Sequence, residues 1–133
     1  MSIAPAFYWR AASDGSAGSL VQVVWRSNQH GEGESIADLG GLTIAFAAYQ
    51  KSLEGKSRPK DLDGFTPEQR FFLGFAQVWA TNMRAEFARL LANTDPHPLP
   101  RFRLNGTLSN MPAFAKAFSC KQGEPMVRPD AER

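Results

Sequence analysis

The sequence predicts a mainly α-helical protein with two long buried helices, one short helix and irregular loops, and two observations lead to this prediction. Apolar residues recur at helical spacing in two long segments, residues 34–53 and 66–92. Both segments also carry apolar side chains on nearly every side, which is typical of buried helices. Because little of a 133-residue chain remains to cover two such helices, they also indicate part of a larger domain or an oligomer.

Length and composition are those of one globular domain. The chain is 43% apolar and 21% charged, which is ordinary for a folded protein. The net charge of +2 is small and the basic residues are scattered, so no nucleic-acid partner is expected. No apolar run approaches the roughly 20 residues of a membrane helix. The first ten residues lack a basic start and are interrupted by Pro5 and Arg10, so they are not a signal peptide.

The first long helix is predicted to begin with two carboxylates. Before it, residues 20–25 are rich in β-branched side chains and predict a short strand, and residues 28–33 predict a loop. Glu34 and Asp38 are four apart and therefore lie on one helix face. Burying them is costly without compensation, so a positive partner is expected, and a metal ion is one candidate. The alternative is that they only complement the helix macrodipole.

The second long helix has a clear start in the sequence. Thr66 is a good N-cap, Pro67 suits the first helical position, and Gln69 completes a capping box. The apolar residues that follow keep helical spacing as far as residue 92. One helix over residues 66–92 is therefore expected.

The remainder of the chain predicts loops and one short helix. Three prolines surround His97 and restrict its backbone. Residues 101–106 form a short alternating segment that ends in a turn. A short helix follows, capped by Ser109 or Asn110 and with Pro112 in its first turn. Residues 120–133 are polar and expected to be irregular.

Five stretches match a known family in order and spacing. They are Gly33-Glu34-Ser35-Ile36-Ala37-Asp38-Leu39-Gly40-Gly41-Leu42, Phe71-Phe72-Leu73-Gly74-Phe75-Ala76-Gln77-Val78-Trp79, Asp95-Pro96-His97, Phe102-Arg103-Leu104-Asn105-Gly106-Thr107-Leu108-Ser109-Asn110-Met111-Pro112-Ala113-Phe114 and Ala117-Phe118-Ser119-Cys120-Lys121. Together they resemble the C-terminal part of the neprilysin and endothelin-converting-enzyme family of zinc metalloendopeptidases. The resemblance implies a C-terminal fragment of a thermolysin-like peptidase catalytic domain over residues 33–129. Residues 1–32 are then an unmatched N-terminal segment and residues 130–133 a truncated tail.

The resemblance also assigns roles to single residues. Glu34 resembles the third zinc ligand, and Asp38 resembles the carboxylate that orients a zinc-binding histidine one helical turn away. His97 resembles the histidine that stabilises the oxyanion of the transition state. Arg103 resembles the arginine that binds a backbone carbonyl of the substrate. The alternative for His97 is a solvated loop residue, and the alternative for Arg103 is a surface charge.

Two neighbouring residues resemble the lining of a substrate pocket. Val78 and Trp79 match residues that surround the side chain just after the scissile bond in the family. The alternative is that both belong to the core, as an apolar helix face does by default.

One family motif does not occur in the sequence. His30 and His97 are the only two histidines, so there is no H-E-x-x-H helix to supply two zinc ligands and the general base. The resemblance therefore implies a fragment that is inactive alone, with zinc and a peptide substrate belonging to the complete enzyme. The remaining ligands would come from the missing N-terminal part or from a partner. Family members usually work outside the cytoplasm, as secreted, periplasmic or membrane-anchored proteins.

Three alternatives remain open at this point. The chain is a non-catalytic helical module that binds peptides, or it is a subunit completed by a partner carrying H-E-x-x-H. A third alternative is an unrelated metal site that uses His30, Glu34 and His97. Cys120 is the single cysteine; it is either a reduced thiol or, as the family implies, bonded to a distant part of a longer chain.

Overall fold

The described backbone is helical wherever it is regular. The structure, a computed structural model, describes the backbone of residues 17–129 and the side chains of residues 33–129. Its helices, numbered in chain order, are α1 (Ala17–Leu53), α2 (Pro67–Val78), α3 (Ala85–Thr94), α4 (Pro100–Ser109) and α5 (Pro112–Ala117). Within this part of the chain, extended pairing is limited to an isolated bridge between Leu62 and Phe65. The prediction of a mainly α protein is confirmed.

The beginning of α1 differs from the sequence prediction. The strand at residues 20–25 and the loop at residues 28–33 are both wrong, because α1 runs without interruption from Ala17 to Leu53. β-Branched residues oppose a helix only weakly, and each interior glycine costs about 1 kcal/mol relative to alanine. A long helix tolerates both. The predicted end of this helix at Leu53 is confirmed, whereas residues 1–16 and 130–133 lie outside the described residues.

The predicted single helix over residues 66–92 is two helices. α2 ends at Val78, because the N–H groups of Trp79 and Ala80 donate to carbonyls three residues back, each at 3.2 Å. Such bonds tighten and close a helix end. The hydroxyl of Thr81 then donates to the Trp79 carbonyl at 3.1 Å, a local bond that competes with helix continuation. The chain becomes helical again only at Ala85.

The alternating segment at residues 101–106 is also helical. Pro100 occupies the first position of α4, where its fixed backbone angle favours a helix. The short helix α5 has Pro112 in its first turn as predicted, but it begins at that residue, and its N-cap is Met111 rather than Ser109 or Asn110. These two helices lead directly into each other, so the segment from Pro100 to Ala117 is almost entirely helical.

The predicted capping box at the start of α2 is confirmed. The Thr66 hydroxyl accepts a hydrogen bond from the Gln69 N–H at 3.2 Å, and the Gln69 side-chain oxygen accepts one from the Thr66 N–H at 2.9 Å. The Gln69 amide nitrogen also donates to the carbonyl of Ala117 at 3.0 Å. One side chain therefore caps α2 and connects it to the end of α5.

Replacing Thr66 by alanine is expected to lower the free energy of unfolding by about 1 kcal/mol, because the Gln69 N–H loses its acceptor. Thr43→Ala is the matched control, since the Thr43 hydroxyl is exposed and only donates back to the Leu39 carbonyl within α1. Its effect is expected to stay within about 0.5 kcal/mol. Urea denaturation followed by circular dichroism measures both. Equal losses in the two variants would contradict the capping argument.

The core lies where α2, α4 and α5 meet one turn of α1. Phe72, with 1% of its surface exposed, is its most buried large side chain. The other buried members of this cluster are Leu42, Ala76, Leu104, Leu108, Met111, Phe114 and Phe118. Among the α1 side chains that the structure describes, only Leu42 is a fully buried member of this cluster, while Ile36 and Ile44 are 70% and 72% exposed. Within the described residues the other helices cover only one face of α1, as expected of a helix that needs a larger domain or a partner to bury it, and the second long helix is two shorter ones.

Candidate functional site

Helices α1 and α4 place two carboxylates against one guanidinium. Arg103 of α4 donates from Nε to Asp38 Oδ2 at 2.7 Å and from Nη2 to Asp38 Oδ1 at 2.8 Å. Its Nη2 also lies 3.0 Å from Glu34 Oε2. Glu34 and Asp38 face Arg103 together because they are one turn apart on α1. Arg103 is therefore the positive partner that these two carboxylates require in the described structure.

Burial differs between the two carboxylates. The side chains of Arg103 and Asp38 are 14% and 13% exposed, whereas that of Glu34 is 42% exposed. The hydrogen bonds that Arg103 donates to Asp38 raise the pKa of the guanidinium above its usual range, and the charge of Glu34 adds to this effect. The Arg103–Asp38 pair is thus a nearly buried, two-bond contact, and Glu34 keeps part of its carboxylate open to solvent.

The loop between α3 and α4 brings an imidazole to the same place. One oxygen of Asp95 accepts from the His97 backbone N–H at 2.9 Å and lies 2.7 Å from His97 Nδ1. Since a carboxylate only accepts, Nδ1 carries a proton. The opposite nitrogen, Nε2, lies 3.7 Å from Glu34 Oε1. The backbone bond and then the imidazole lower the pKa of the Asp95 carboxyl.

Trp79 closes the apolar side of this site. The Arg103 guanidinium carbon lies 4.3 Å from the centre of the Trp79 ring, a stacked geometry that arginine adopts favourably. Val78, in contrast, is exposed at the end of α2. It is not a core residue of the described structure, and its predicted role as a pocket residue stays a prediction.

The structure therefore joins Glu34, Asp38, His97, Arg103 and Trp79 in one cluster, which we call the Arg103 cluster. Sequence reasoning missed the contribution of Asp95, which orients the imidazole. The sequence feature that could have indicated this contact is that Asp95 lies two residues before His97, since Asp side chains commonly accept a hydrogen bond from the backbone N–H two residues on. Arg103 is 65 residues from Asp38 in the chain, so their pairing could not be derived from local sequence.

The Arg103 cluster can supply one ligand to a metal ion but does not form a complete metal site. Among residues 33–129, no group of three or more His, Cys, Asp or Glu side chains is placed to hold a metal. Glu34 Oε1 has His97 Nε2 as a distant neighbour at 3.7 Å, and a half-exposed carboxylate of this kind suits zinc. The side chain of His30 lies outside the described residues, so the site predicted from His30, Glu34 and His97 is not tested.

Cys120 follows α5 as the single cysteine and is a free thiol within this chain. Burial, followed by the negative charge of Glu124, raises its pKa above the usual range. Both effects disfavour the thiolate, which is the reactive form.

Within the part of the chain that the structure describes, no helix has the length and apolar character needed to cross a membrane.

Solved structures indicate the class of protein to which this arrangement is similar. The fold resembles the crystal structure of the Mycobacterium tuberculosis zinc metalloprotease Zmp1 in complex with an inhibitor, with 44% sequence identity and a TM-score of 0.69 over 76% of this chain and 15% of that chain. The cryo-EM structure of Zmp1 in its open state gives a TM-score of 0.70 at the same identity. The helices are those of part of a zinc peptidase catalytic domain.

The family follows from sequence comparison. The model of peptidase family M13 matches residues 22–133, and this chain belongs to that family. Neprilysin-1 of Caenorhabditis elegans is 44% identical over 99 residues, which cover 71% of this chain and 13% of that protein. Human endothelin-converting enzyme 1 is 43% identical over 105 residues, which cover 77% of this chain and 14% of that protein. The resemblance to the neprilysin and endothelin-converting-enzyme family is confirmed, and the match begins at residue 22, before the predicted boundary at residue 33.

The chain spans about one seventh of the length of these curated relatives. The activity of the complete relatives is therefore assigned to this chain only as a proposal.

Proposed function

We propose that this chain is the segment of a zinc metalloendopeptidase that supplies one metal ligand together with the groups that hold the substrate. The observation that carries this proposal is the Arg103 cluster, in which Glu34 lies 3.7 Å from His97 and 3.0 Å from Arg103. A carboxylate ligand, an imidazole donor and a guanidinium are the groups that peptide hydrolysis needs beside a metal. A zinc ion, when bound, supplies a polarised water as the nucleophile.

Each residue then has a separate task. Glu34 contributes one carboxylate to the metal, and the other ligands come from outside the described residues. Asp38 holds the Arg103 guanidinium through hydrogen bonds from Nε and Nη2, and Nη1, which takes no part in the contacts with Asp38 and Glu34, would donate to a substrate carbonyl. Lone pairs of Asp38 that Arg103 does not use are available to a zinc-binding histidine. Trp79 and Val78 form an apolar surface beside these groups for the side chain that follows the cleaved bond.

In its imidazolium form, in which both ring nitrogens carry a proton, His97 is suited to donate from Nε2 to the oxyanion. Its Nδ1 proton is fixed by Asp95, so the ring is already oriented before a substrate arrives. The remaining nitrogen faces Glu34 at 3.7 Å, which is the position the metal ligand occupies. A preorganised donor beside the metal stabilises the charge that develops on the carbonyl oxygen during the reaction.

A chimeric enzyme tests this proposal. Residues 22–133 of this chain would replace the matching segment of Zmp1, and cleavage of an internally quenched peptide would be measured against unmodified Zmp1. We expect the chimera to cleave, Glu34→Ala to abolish cleavage and bound zinc, and His97→Ala to lower kcat by about a hundredfold or more while zinc is retained.

The matched control in the chimera is Glu54→Ala, which removes an exposed carboxylate just after α1. It is expected to leave zinc content and cleavage unchanged. A folded chimera that keeps zinc and activity without Glu34 would refute the assigned ligand. If zinc is bound and cleavage is absent in the unmutated chimera, the endopeptidase proposal fails.

The exposed apolar face of α1 favours a second candidate, a subunit completed by a partner that carries H-E-x-x-H. Ile36 and Ile44 are each about 70% exposed, and large apolar side chains exposed together mark an interaction surface. The purified chain alone is expected neither to retain zinc after dialysis nor to cleave peptide. Mixing it with a separately purified Zmp1 fragment that contains H-E-x-x-H distinguishes this candidate, because only a subunit regains cleavage on mixing.

A further inference from the structure

A second concave site lies beside the Arg103 cluster. A pocket of about 570 Å³ is enclosed by the end of α2, the connection at residues 79–84, α3 and the start of α4. This volume lies within the range of small-molecule sites, about 300–1,000 Å³. Glu34, His97 and Arg103 do not line it, so the inference that follows does not rest on the proposed peptidase function.

The lining of this pocket is mostly apolar and comes from several elements. Leu99 and Leu104 are buried and form its floor. Trp79, Met83 and Ala88 contribute further apolar surface. Because these residues belong to α2, α3, α4 and the connections between them, the shape of the pocket is set by the packing of the helices.

The charged groups in the lining have one sign. They are Arg89 and Arg101, accompanied by the amides of Asn82 and Asn105, and no described lining residue is Asp or Glu. An apolar wall with cations and amides favours a ligand that has an apolar body and an anionic end. The same lining disfavours an amine, because like charges in a desolvated site repel.

Trp79, which lines the pocket, carries a buried indole N–H. The indole Nε1 of Trp79 is buried and has no hydrogen-bond partner among the described residues. Buried donors are nearly always paired in folded proteins, either with protein groups or with water. The N–H signal of this indole therefore reports changes around the Trp79 ring.

We propose that this pocket binds small apolar carboxylates, which carry an aryl or alkyl body and one carboxylate. The body packs against Met83, Ala88 and Leu104, and the carboxylate is bound by Arg89 and the neighbouring amides. Trp79 also stacks on Arg103, so a ligand in the pocket shares a wall with the Arg103 cluster. A ligand in the pocket therefore contacts the Trp79 indole, whose ring stacks on the Arg103 guanidinium.

Titration of the full chain with 4-phenylbutyrate tests this proposal. The chain is labelled with ¹⁵N, and the indole signal of Trp79 is identified among the three tryptophans by its absence in Trp79→Phe. We expect a saturable shift of this signal. 4-Phenylbutylamine has the same apolar body and the opposite charge. Its affinity is expected to be lower than that of 4-phenylbutyrate by a factor of roughly ten or more.

Three substitutions complete the test. Ala88→Phe fills the pocket and is expected to abolish binding, whereas Leu90→Phe places the same ring on the exposed side of α3 and should leave binding unchanged. Arg89→Gln alters an exposed residue without disturbing the core and is expected to remove the preference for the acid. The proposal is overturned by the absence of a saturable shift, by equal affinity for acid and amine, or by full binding in a folded Ala88→Phe variant.

Discussion

Replacing Phe72 by alanine is expected to lower the free energy of unfolding by about 4 kcal/mol, because it removes a large side chain from the centre of the core. Phe72 is 1% exposed. Its ring centre lies 5.0 Å from that of Phe46, 5.4 Å from that of Phe71 and 5.6 Å from that of Phe114. The substitution removes these contacts and leaves a cavity at the junction of α1, α2 and α5. Thermal and urea denaturation followed by circular dichroism would measure the loss.

Phe87→Ala is the matched control for this cavity argument. Phe87 is 51% exposed on α3, so the same substitution there removes little buried surface and is expected to cost less than about 1 kcal/mol. Because small domains are stable by only about 5–15 kcal/mol, the Phe72 variant should be partly unfolded where the control is folded. Similar losses in both variants would show that the core is not centred on Phe72.

Replacing Arg103 by alanine is expected to destabilise the chain by about 3 kcal/mol. Asp38 is only 13% exposed, and without Arg103 both of its oxygens lose their hydrogen bonds in a poorly solvated position. Trp79 also loses the guanidinium that covers its ring. The same denaturation experiments measure this loss of stability. Because Arg103 connects α4 to α1, these two helices should separate before the rest of the core unfolds.

The control for Arg103 is a second arginine–carboxylate pair with two hydrogen bonds, in which the arginine is exposed. Arg58 donates to both oxygens of Glu68, at 2.9 and 2.7 Å, but its side chain is 61% exposed. Arg58→Ala is therefore expected to cost no more than about 1 kcal/mol. In a double-mutant cycle, Asp38→Ala should add little to Arg103→Ala, because each removes the same contact. Additive losses would contradict a direct coupling between the two residues.

Local chemistry explains which parts of the fold could be predicted from the sequence. The start of α2 was correct because Thr66 and Gln69 satisfy each other within four residues. For α5 the position of Pro112 in the first turn was correct, because the fixed backbone angle of proline favours a helix start, whereas the predicted caps were wrong because no side chain caps this helix. The break after Val78 was missed because apolar spacing continues through it, whereas the helix is closed by backbone bonds and by Thr81.

The candidate site was predictable in part. The carboxylates Glu34 and Asp38 required a cation, and the sequence placed them on one helix face. That the cation is Arg103, and that Asp95 orients His97 beside it, depends on how α1 crosses α4. Periodicity likewise cannot tell whether an apolar face is covered, which is why α1 was predicted to be buried although Ile36 and Ile44 are exposed.

The side chain at position 69 shows how a tertiary contact narrows a local choice. A capping box accepts glutamate as readily as glutamine, since either supplies the oxygen that the N-cap N–H needs. Here the other end of the same side chain must donate to the Ala117 carbonyl. A glutamate would present a second oxygen to that carbonyl, and two acceptors facing each other repel. Of two near-isosteres that satisfy the helix, only the amide also satisfies its neighbour.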